Sequence, residues 1–526
     1  MVRKSEFRGN AAALFLLFLA LLALHASLLR LPYFWDEAGY YVPAARDLLL
    51  SGSLIPQSSI SNAHPPLVMA YLALAWKVFG FAPIVTRTAM LLMAAFSLLG
   101  IFRLAERVAN TETALASVAC TALYPVFFTQ SSLAQVDLAA AGFTFWGFLA
   151  HVEERRWRTA LWFSLAVLAK ETAILAPLAL FGWCVVSTPK SGKVWHAFPL
   201  LFPLIPLMLW YAFHYARTGY VFGNPEFFRY NVQDTLHPLR IVLALGLRIW
   251  QTVGNLNLFV LTAAALLAMW LPPLRDREQE RPRIALDTQY AFLAVILGYV
   301  GAMSVIGGAV LARYMLPTIP LVIIVCVSTL RRRVRFWPVL IAVVLLGFVA
   351  TLVFNPAYGI SFEDNLSYRD YVLLHEDAEH FIESHYPMVQ VLTAWPASDE
   401  LSRPYLGYVT RPVRVVRIEN FSLEPLMAAA DSPANFDIAL VFSTKYQPHT
   451  WFDRWSTWER WKRDYFGFHR DAQAPLAAQI LGGGVVYSEG RKGQWVAVIA
   501  IARVQEARAG ASARPRTTYA LPPANF

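Results

Sequence analysis

Long apolar runs separated by short polar stretches fill the first 354 positions, and this alternation predicts most of the molecule. A membrane-spanning helix needs about 20 apolar residues. On that measure, runs at 11–31, 83–102, 113–128, 138–151, 160–168, 172–186, 197–213, 256–271, 290–306, 315–330 and 337–354 give about eleven spans. The run at 66–79 is short for a span and follows Pro65-Pro66, so residues 32–82 read as a loop carrying interfacial helices. From 355 onward the pattern changes. Short β-type runs at 389–392, 413–418, 438–442, 484–488 and 495–502 alternate with helix-like stretches such as 371–385, which predicts an α/β domain over 355–505. The final stretch, 506–526, is rich in Ala, Arg and Pro and reads as disordered.

Composition agrees with the pattern. Only 15% of residues are charged, against about a quarter in a soluble protein, so residues 1–354 read as a polytopic α-helical membrane domain. The net charge of +10 does not point to nucleic acid, because the basic residues fall in short blocks between apolar runs. These blocks are Arg3/Lys4/Arg8, Arg103/Arg107, Arg155/Arg156/Arg158, Lys190/Lys193, Arg275/Arg277/Arg281/Arg283 and Arg331 to Arg335. With eleven spans and a cytoplasmic N-terminus, every block is cytoplasmic, as the positive-inside rule requires. The α/β domain then lies on the extracytoplasmic face. The first apolar run is long for a signal peptide and reads as a retained signal anchor. Cys120, Cys184 and Cys326 lie inside apolar runs and suggest neither a disulfide framework nor a metal site.

The same bookkeeping gathers the remaining polar groups on the extracytoplasmic face: Asp36-Glu37, His64, Asp137, Lys170-Glu171, Arg229 and Arg313-Tyr314. Each has a plainer explanation. Asp36 and Glu37 sit where a helix cap would, Asp137 suits an N-cap, Lys170 and Glu171 can pair with each other, and Arg313-Tyr314 can anchor a helix at the interface. A pair of carboxylates at a membrane face is nevertheless a functional hypothesis by default. Arg87, near the start of the 83–102 run, is placed closer to the inner face and left out of the catalytic set. The Trp451–Trp461 spacing reads as one packed helical face. There is no P-loop, no zinc-type His/Cys cluster and no Asp-x-Asp triplet.

The order of these motifs resembles the GT-C glycosyltransferases. An Asp-Glu pair follows the first span, His64-Pro65-Pro66-Leu67 comes about thirty residues on, and Asp137 follows the third span; Ala169-Lys170-Glu171 and Ala312-Arg313-Tyr314-Met315-Leu316-Pro317 complete the set. The nearest resemblance is to protein O-mannosyltransferases and the bacterial aminoarabinose transferase of lipid A (glycosyltransferase family 39 type), over roughly the first 350 residues. It implies an inverting transfer of a sugar from a polyprenyl-phosphate donor to a lipid, protein or glycan acceptor. The expected setting is a bacterial inner membrane, at its periplasmic face. The residues themselves give only an acid at the membrane face; the resemblance implies that the first acid of the pair, Asp36, is the general base, with Glu37 orienting it or binding acceptor. For Asp137 it implies a second acidic residue, binding acceptor or supporting a divalent cation near Asp36. His64 would contact acceptor or donor phosphate, although the lipid A enzyme carries lysine there. A departing polyprenyl phosphate develops negative charge and needs cations, for which Lys170, Arg313 with Tyr314, and Arg229 are candidates. The rival readings are a transporter or flippase of lipid-linked substrates and a non-catalytic envelope assembly factor. A transporter would place polar groups at mid-membrane in two repeats, whereas here they gather at one face.

Overall fold

A computed structural model describes residues 2–187, 197–276, 279–432 and 435–502. Lys190, Lys193, Arg277 and the 506–526 tail lie outside the described residues. The chain divides into two compact units, Met1–Asp370 with Lys445–Phe468, and Tyr371–Thr444 with His469–Phe526.

The first unit is almost entirely helical. Four of its helical stretches are long and apolar enough to cross a membrane: Pro83–Val108, Phe198–Thr218, Pro238–Ala268 and Leu286–Val305. Shorter apolar helices follow the other runs, among them Gly9–Leu24, Glu171–Ser187 and Trp337–Val353. The fold is thus of the polytopic membrane type, but length and composition alone carry four spans, not eleven. The shortfall has local causes. The 113–128 run is broken into Thr111–Leu123 and Pro125–Gln130 by extended backbone at Tyr124 ahead of Pro125. The 138–151 and 160–168 runs are helices of 16 and 14 residues, Asp137–Val152 and Arg156–Ala169.

One helix was not anticipated. Pro238–Val253 carries Arg240, Arg248 and Gln251, which interrupt any apolar run in the sequence; all three are buried. Helix breaks inside a membrane protein are tolerated where neighbours satisfy the freed backbone groups. The break after Val253 shows this: Leu256 and Asn257 take positive φ (50° and 67°), the Leu256 amide donates to the Tyr358 hydroxyl at 2.8 Å, and the Asn257 side-chain amide donates to the Gly347 carbonyl at 3.0 Å.

Two close approaches fix the geometry of this end of the helical unit. Gly142 on Asp137–Val152 faces Ser97 on Pro83–Val108 so tightly that a Cβ there would lie 2.1 Å from the Ser97 hydroxyl oxygen, the small-residue packing typical of membrane helices. Glu37, just beyond the first helix, contacts Arg87 in the first turns of Pro83–Val108. The intervening helices Val42–Ser51 and Leu67–Phe79 therefore begin and end at the same end of the bundle. The helix Ser456–Phe466 also belongs to this unit; the Tyr465 carbonyl accepts from Arg240 Nε at 3.2 Å.

The second unit contains a five-stranded mixed sheet. With the two-residue ribbon β1 (Arg275–Asp276) and β2 (Gln279–Glu280) counted first, its strands are β3 (Gln390–Ala394), β4 (Arg414–Ile418), β5 (Ile438–Phe442), β6 (Gly483–Arg491) and β7 (Gln494–Ile501), in the order β4-β3-β5-β7-β6. β3 is parallel to β4 and β5, while β7 is antiparallel to β5 and β6. Central β5 is buried at every position and edge β6 at none, as expected for a strand covered on both faces against one at a rim. All five β-type runs form strands.

Candidate functional site

The site is built around Arg313, on a short helical turn (Ala312–Met315) between Leu286–Val305 and Ile319–Arg333. Its guanidinium is buried and meets three carboxylates from three parts of the chain. It donates to Asp36 and Glu363, and its Nε lies 3.3 Å from Asp137 Oδ2, an electrostatic contact without hydrogen-bond alignment. Gln135 fills the remaining space, accepting from Arg313 at 2.7 Å and donating to Glu363 at 3.0 Å. Burial alone would lower the Arg313 pKa, but Glu363, Asp36 and Asp137 outweigh it and hold the group well above its ordinary value. Asp137 is also paired with Lys170 at 2.6 Å.

Glu363 is more weakly matched. It lies in the turn Phe362–Asp364, closed by a capping box with Ser361. Burial raises its pKa to about 7, against the opposing pull of Arg313. Its neighbour Asp364 is raised further, to about 8, by burial and then by Glu363.

Asp36 and Glu37, adjacent in sequence, face different surroundings. Glu37 is fully buried and accepts from Arg87, from the Ala134 amide and from the Phe34 amide, the last at 2.8 Å. The Glu37 amide donates back to the Phe34 carbonyl at 2.9 Å. The Glu37 carboxylate thus holds the chain ahead of the helix, but no side-chain capping bond closes the helix start. Asp36 makes no capping bond. Its side chain is 19% exposed, Oδ2 is taken by Arg313, and Oδ1 has no hydrogen-bond partner among the described residues. The backbone here is unusual on both sides: Trp35 has φ 45°, and Glu37–Tyr41 forms a single π-helical turn. Both features recur at functional sites.

The other plain explanations do not match the geometry. Asp137 makes no cap bond and turns instead to Lys170 and Arg313. Lys170 and Glu171 point to separate partners, with Glu171 accepting from His64 Nδ1 at 2.8 Å. Arg313 is too deeply buried to anchor a helix at the interface. Tyr314 presents its ring to three cations: Lys170 Nζ at 4.0 Å, Arg248 Cζ at 5.4 Å and Arg313 Cζ at 5.5 Å from the ring centre. His64 is not in the Arg313 cluster. It borders a small cleft with Tyr41, Leu48, Met69 and Trp210, which does not include Asp36. Arg229 is not brought in either; it is exposed, 3.9 Å from an equally exposed Asp234.

Three groups were missed. Arg87, placed toward the inner face from the sequence, is the buried partner of Glu37 and also donates to the Ser132 and Pro32 carbonyls; its position at the start of its helix was the available signal. Glu363 lies beyond the last apolar run, where nothing tied it to Arg313. Arg248 donates to the Met303 carbonyl, Gln251 and the Leu311 carbonyl, while its Nη2 is buried without a partner. Arg240 donates to the Gly307 and Gly308 carbonyls and so braces the loop leading to Arg313.

The expected divalent cation near Asp36 and Asp137 is corrected by this arrangement. The positive charge there is supplied by Arg313 and Lys170, and the one His/carboxylate group with metal-type spacing among the described residues is His375, Glu379 and Glu400 in the second unit.

Comparison with known proteins bears on the fold. A family profile described as dolichyl-phosphate-mannose-protein mannosyltransferase matches residues 63–212, less than a third of the chain. The crystal structure of ArnT from Cupriavidus metallidurans bound to undecaprenyl phosphate is similar, with a TM-score of 0.52 at 14% identity, covering 93% of this chain and 98% of that one. The apo structure of the same protein gives 0.50 at 15% identity, over 94% and 99%. No curated protein matches the chain. At this level of identity the likeness shows the fold alone.

Proposed function

We propose that this chain is an inverting glycosyltransferase that moves a sugar from a polyprenyl-phosphate donor to an acceptor hydroxyl or phosphate of the cell envelope, at the extracytoplasmic face of a bacterial inner membrane. The observation that carries this is the asymmetry of the acidic pair. Glu37 is buried and accepts three hydrogen bonds, while Asp36 is 19% exposed, with one oxygen on Arg313 and the other without a hydrogen-bond partner among the described residues.

In this reading Asp36 Oδ1 takes the proton of the acceptor as its oxygen attacks the anomeric carbon, and the bond from that carbon to the donor phosphate breaks. Arg313 fixes the orientation of the base through Oδ2. Lys170 and Arg248, both over the Tyr314 ring, meet the charge that develops on the departing phosphate. Arg248 suits this role because a buried N–H without an acceptor is costly until a ligand oxygen reaches it. Asp137 holds Lys170 and Arg313 in place. The fold likeness to a protein whose structure holds undecaprenyl phosphate, and the partial family match, support a lipid-phosphate donor. The partners are accordingly the lipid-linked sugar, membrane lipids and a lipid, protein or glycan acceptor.

The test is transfer of labelled sugar from polyprenyl phosphate in membranes containing wild type or Asp36→Asn. A loss of about a thousandfold is expected on removal of a general base, with folding retained because Asp36 is partly exposed. Full transfer by Asp36→Asn would overturn the assignment.

A further inference from the structure

A second buried polar cluster, in the second unit, has no part in this chemistry. His375 and Glu379 lie one turn apart on the helix Ser367–His385, and Glu400 comes from the short helix Ala397–Ser402 that follows β3. Residues four apart on a helix share one face. The three side chains are 1%, 0% and 0% exposed, and their nearest ligand-type atoms all lie within 4.8 Å of one another. His375 Nδ1 is 2.7 Å from Glu400 Oε2 and 3.8 Å from Glu379 Oε1.

Apart from the His375 imidazole, which donates to Glu400, the cluster lacks counter-charges. Neither Glu379 oxygen receives a hydrogen bond, nor does Glu400 Oε1, and His375 Nε2 is also without a partner. No Lys or Arg pairs with Glu379 or Glu400 among the described residues; the nearby Arg403 and Arg417 are engaged by Asp399. The His375 ring is fixed between Tyr371 at 3.9 Å and Phe442 at 4.4 Å, which holds it toward the carboxylates. Two buried carboxylates without a cation carry a large desolvation cost. A dication relieves it, and the spacing is close to that of ligands sharing one ion through bonds of about 2.1 Å.

We infer that His375, Glu379 and Glu400 form a binding site for a divalent transition-metal ion, which ties the Ser367–His385 helix to the segment leaving β3. One imidazole with two carboxylates selects the zinc and manganese class over calcium or magnesium, which favour all-oxygen sites. With its ligands buried, the site serves folding rather than substrate turnover, and it is independent of whether the chain transfers sugar.

The test uses the full chain in detergent, stripped with a chelator, desalted and titrated with Zn²⁺ or Mn²⁺. Bound metal is counted by mass spectrometry, and thermal unfolding is followed in parallel. One equivalent of at least one ion should bind, and at a hundredfold excess over its dissociation constant raise the midpoint by about 5 °C. In Glu379→Gln, both the equivalent and the shift should disappear while the metal-free midpoint stays the same or rises, since the amide removes a buried charge without changing shape. If wild type binds neither ion, or if the equivalent persists in Glu379→Gln and in Glu400→Gln, the proposal is overturned and the two carboxylates share a proton instead.

Discussion

Two buried polar clusters in this chain solve the same problem differently. Around Arg313, three carboxylates (Asp36, Asp137 and Glu363) are matched by two cations, Arg313 and Lys170, and Asp36 is the most exposed of the three at 19%, against 3% and 4%. Around His375, two carboxylates face each other with no Lys or Arg paired to either among the described residues, and only the His375 imidazole beside them. In the first, the protein supplies the positive charge and leaves Asp36 Oδ1 without a hydrogen-bond partner among the described residues, which is where the proposed chemistry would act. In the second a single imidazole N–H, from His375 to Glu400, faces two carboxylates, and the rest of the charge must come from a proton or an ion. Charge balance, more than burial, separates the two clusters.

The comparison breaks most sharply at the acidic pair. Asp36→Asn should abolish transfer by about a thousandfold while leaving the unfolding midpoint nearly unchanged. Glu37→Gln should do the reverse in kind: it leaves Arg87 buried without its counter-charge and should cost about 3 kcal/mol of stability, read as a lowered midpoint. If the two substitutions have interchangeable effects, the division of labour between Asp36 and Glu37 is wrong. A smaller effect tests the imperfect balance in the first cluster. Glu363 is raised from 4.5 to about 7 and Asp364 from 3.8 to about 8. For acids raised on folding, the stabilising contribution is complete below their unfolded values and is lost as pH rises through the folded ones. Stability should therefore fall between about pH 4 and 8, and Glu363→Gln should flatten that dependence in an unfolding series. The smallest expected effect is Arg229→Ala, less than twofold on transfer, because this exposed residue stands apart from the cluster.

Much of this was legible in the chain. Apolar runs marked most helices of the first unit, and β-type runs marked all five strands of the second, because both signals are local periodicities. The acidic pair, Asp137, Lys170 and Arg313 were legible as polar groups out of place in apolar surroundings. Arg248 and Glu363 were not: Arg248 lay in a stretch too polar to read as a buried helix, and Glu363 lay beyond the last apolar run. Arg87 was visible but misplaced, since hydropathy gives a helix its length and not the neighbour of its first turn. His375, Glu379 and Glu400 carry no recognisable spacing, because Glu400 arrives from a different element.

The sequence by itself determined the largely helical, membrane-type character of the first unit, the strands of the sheet, and part of the set of polar residues that gather around Arg313. Only the tertiary structure decided which of two adjacent carboxylates is closed by donors and which keeps an open oxygen. The reason is that partners over such distances, Arg87 and Ala134 for Glu37 and Arg313 for Asp36, are chosen by helix packing, which no local pattern encodes.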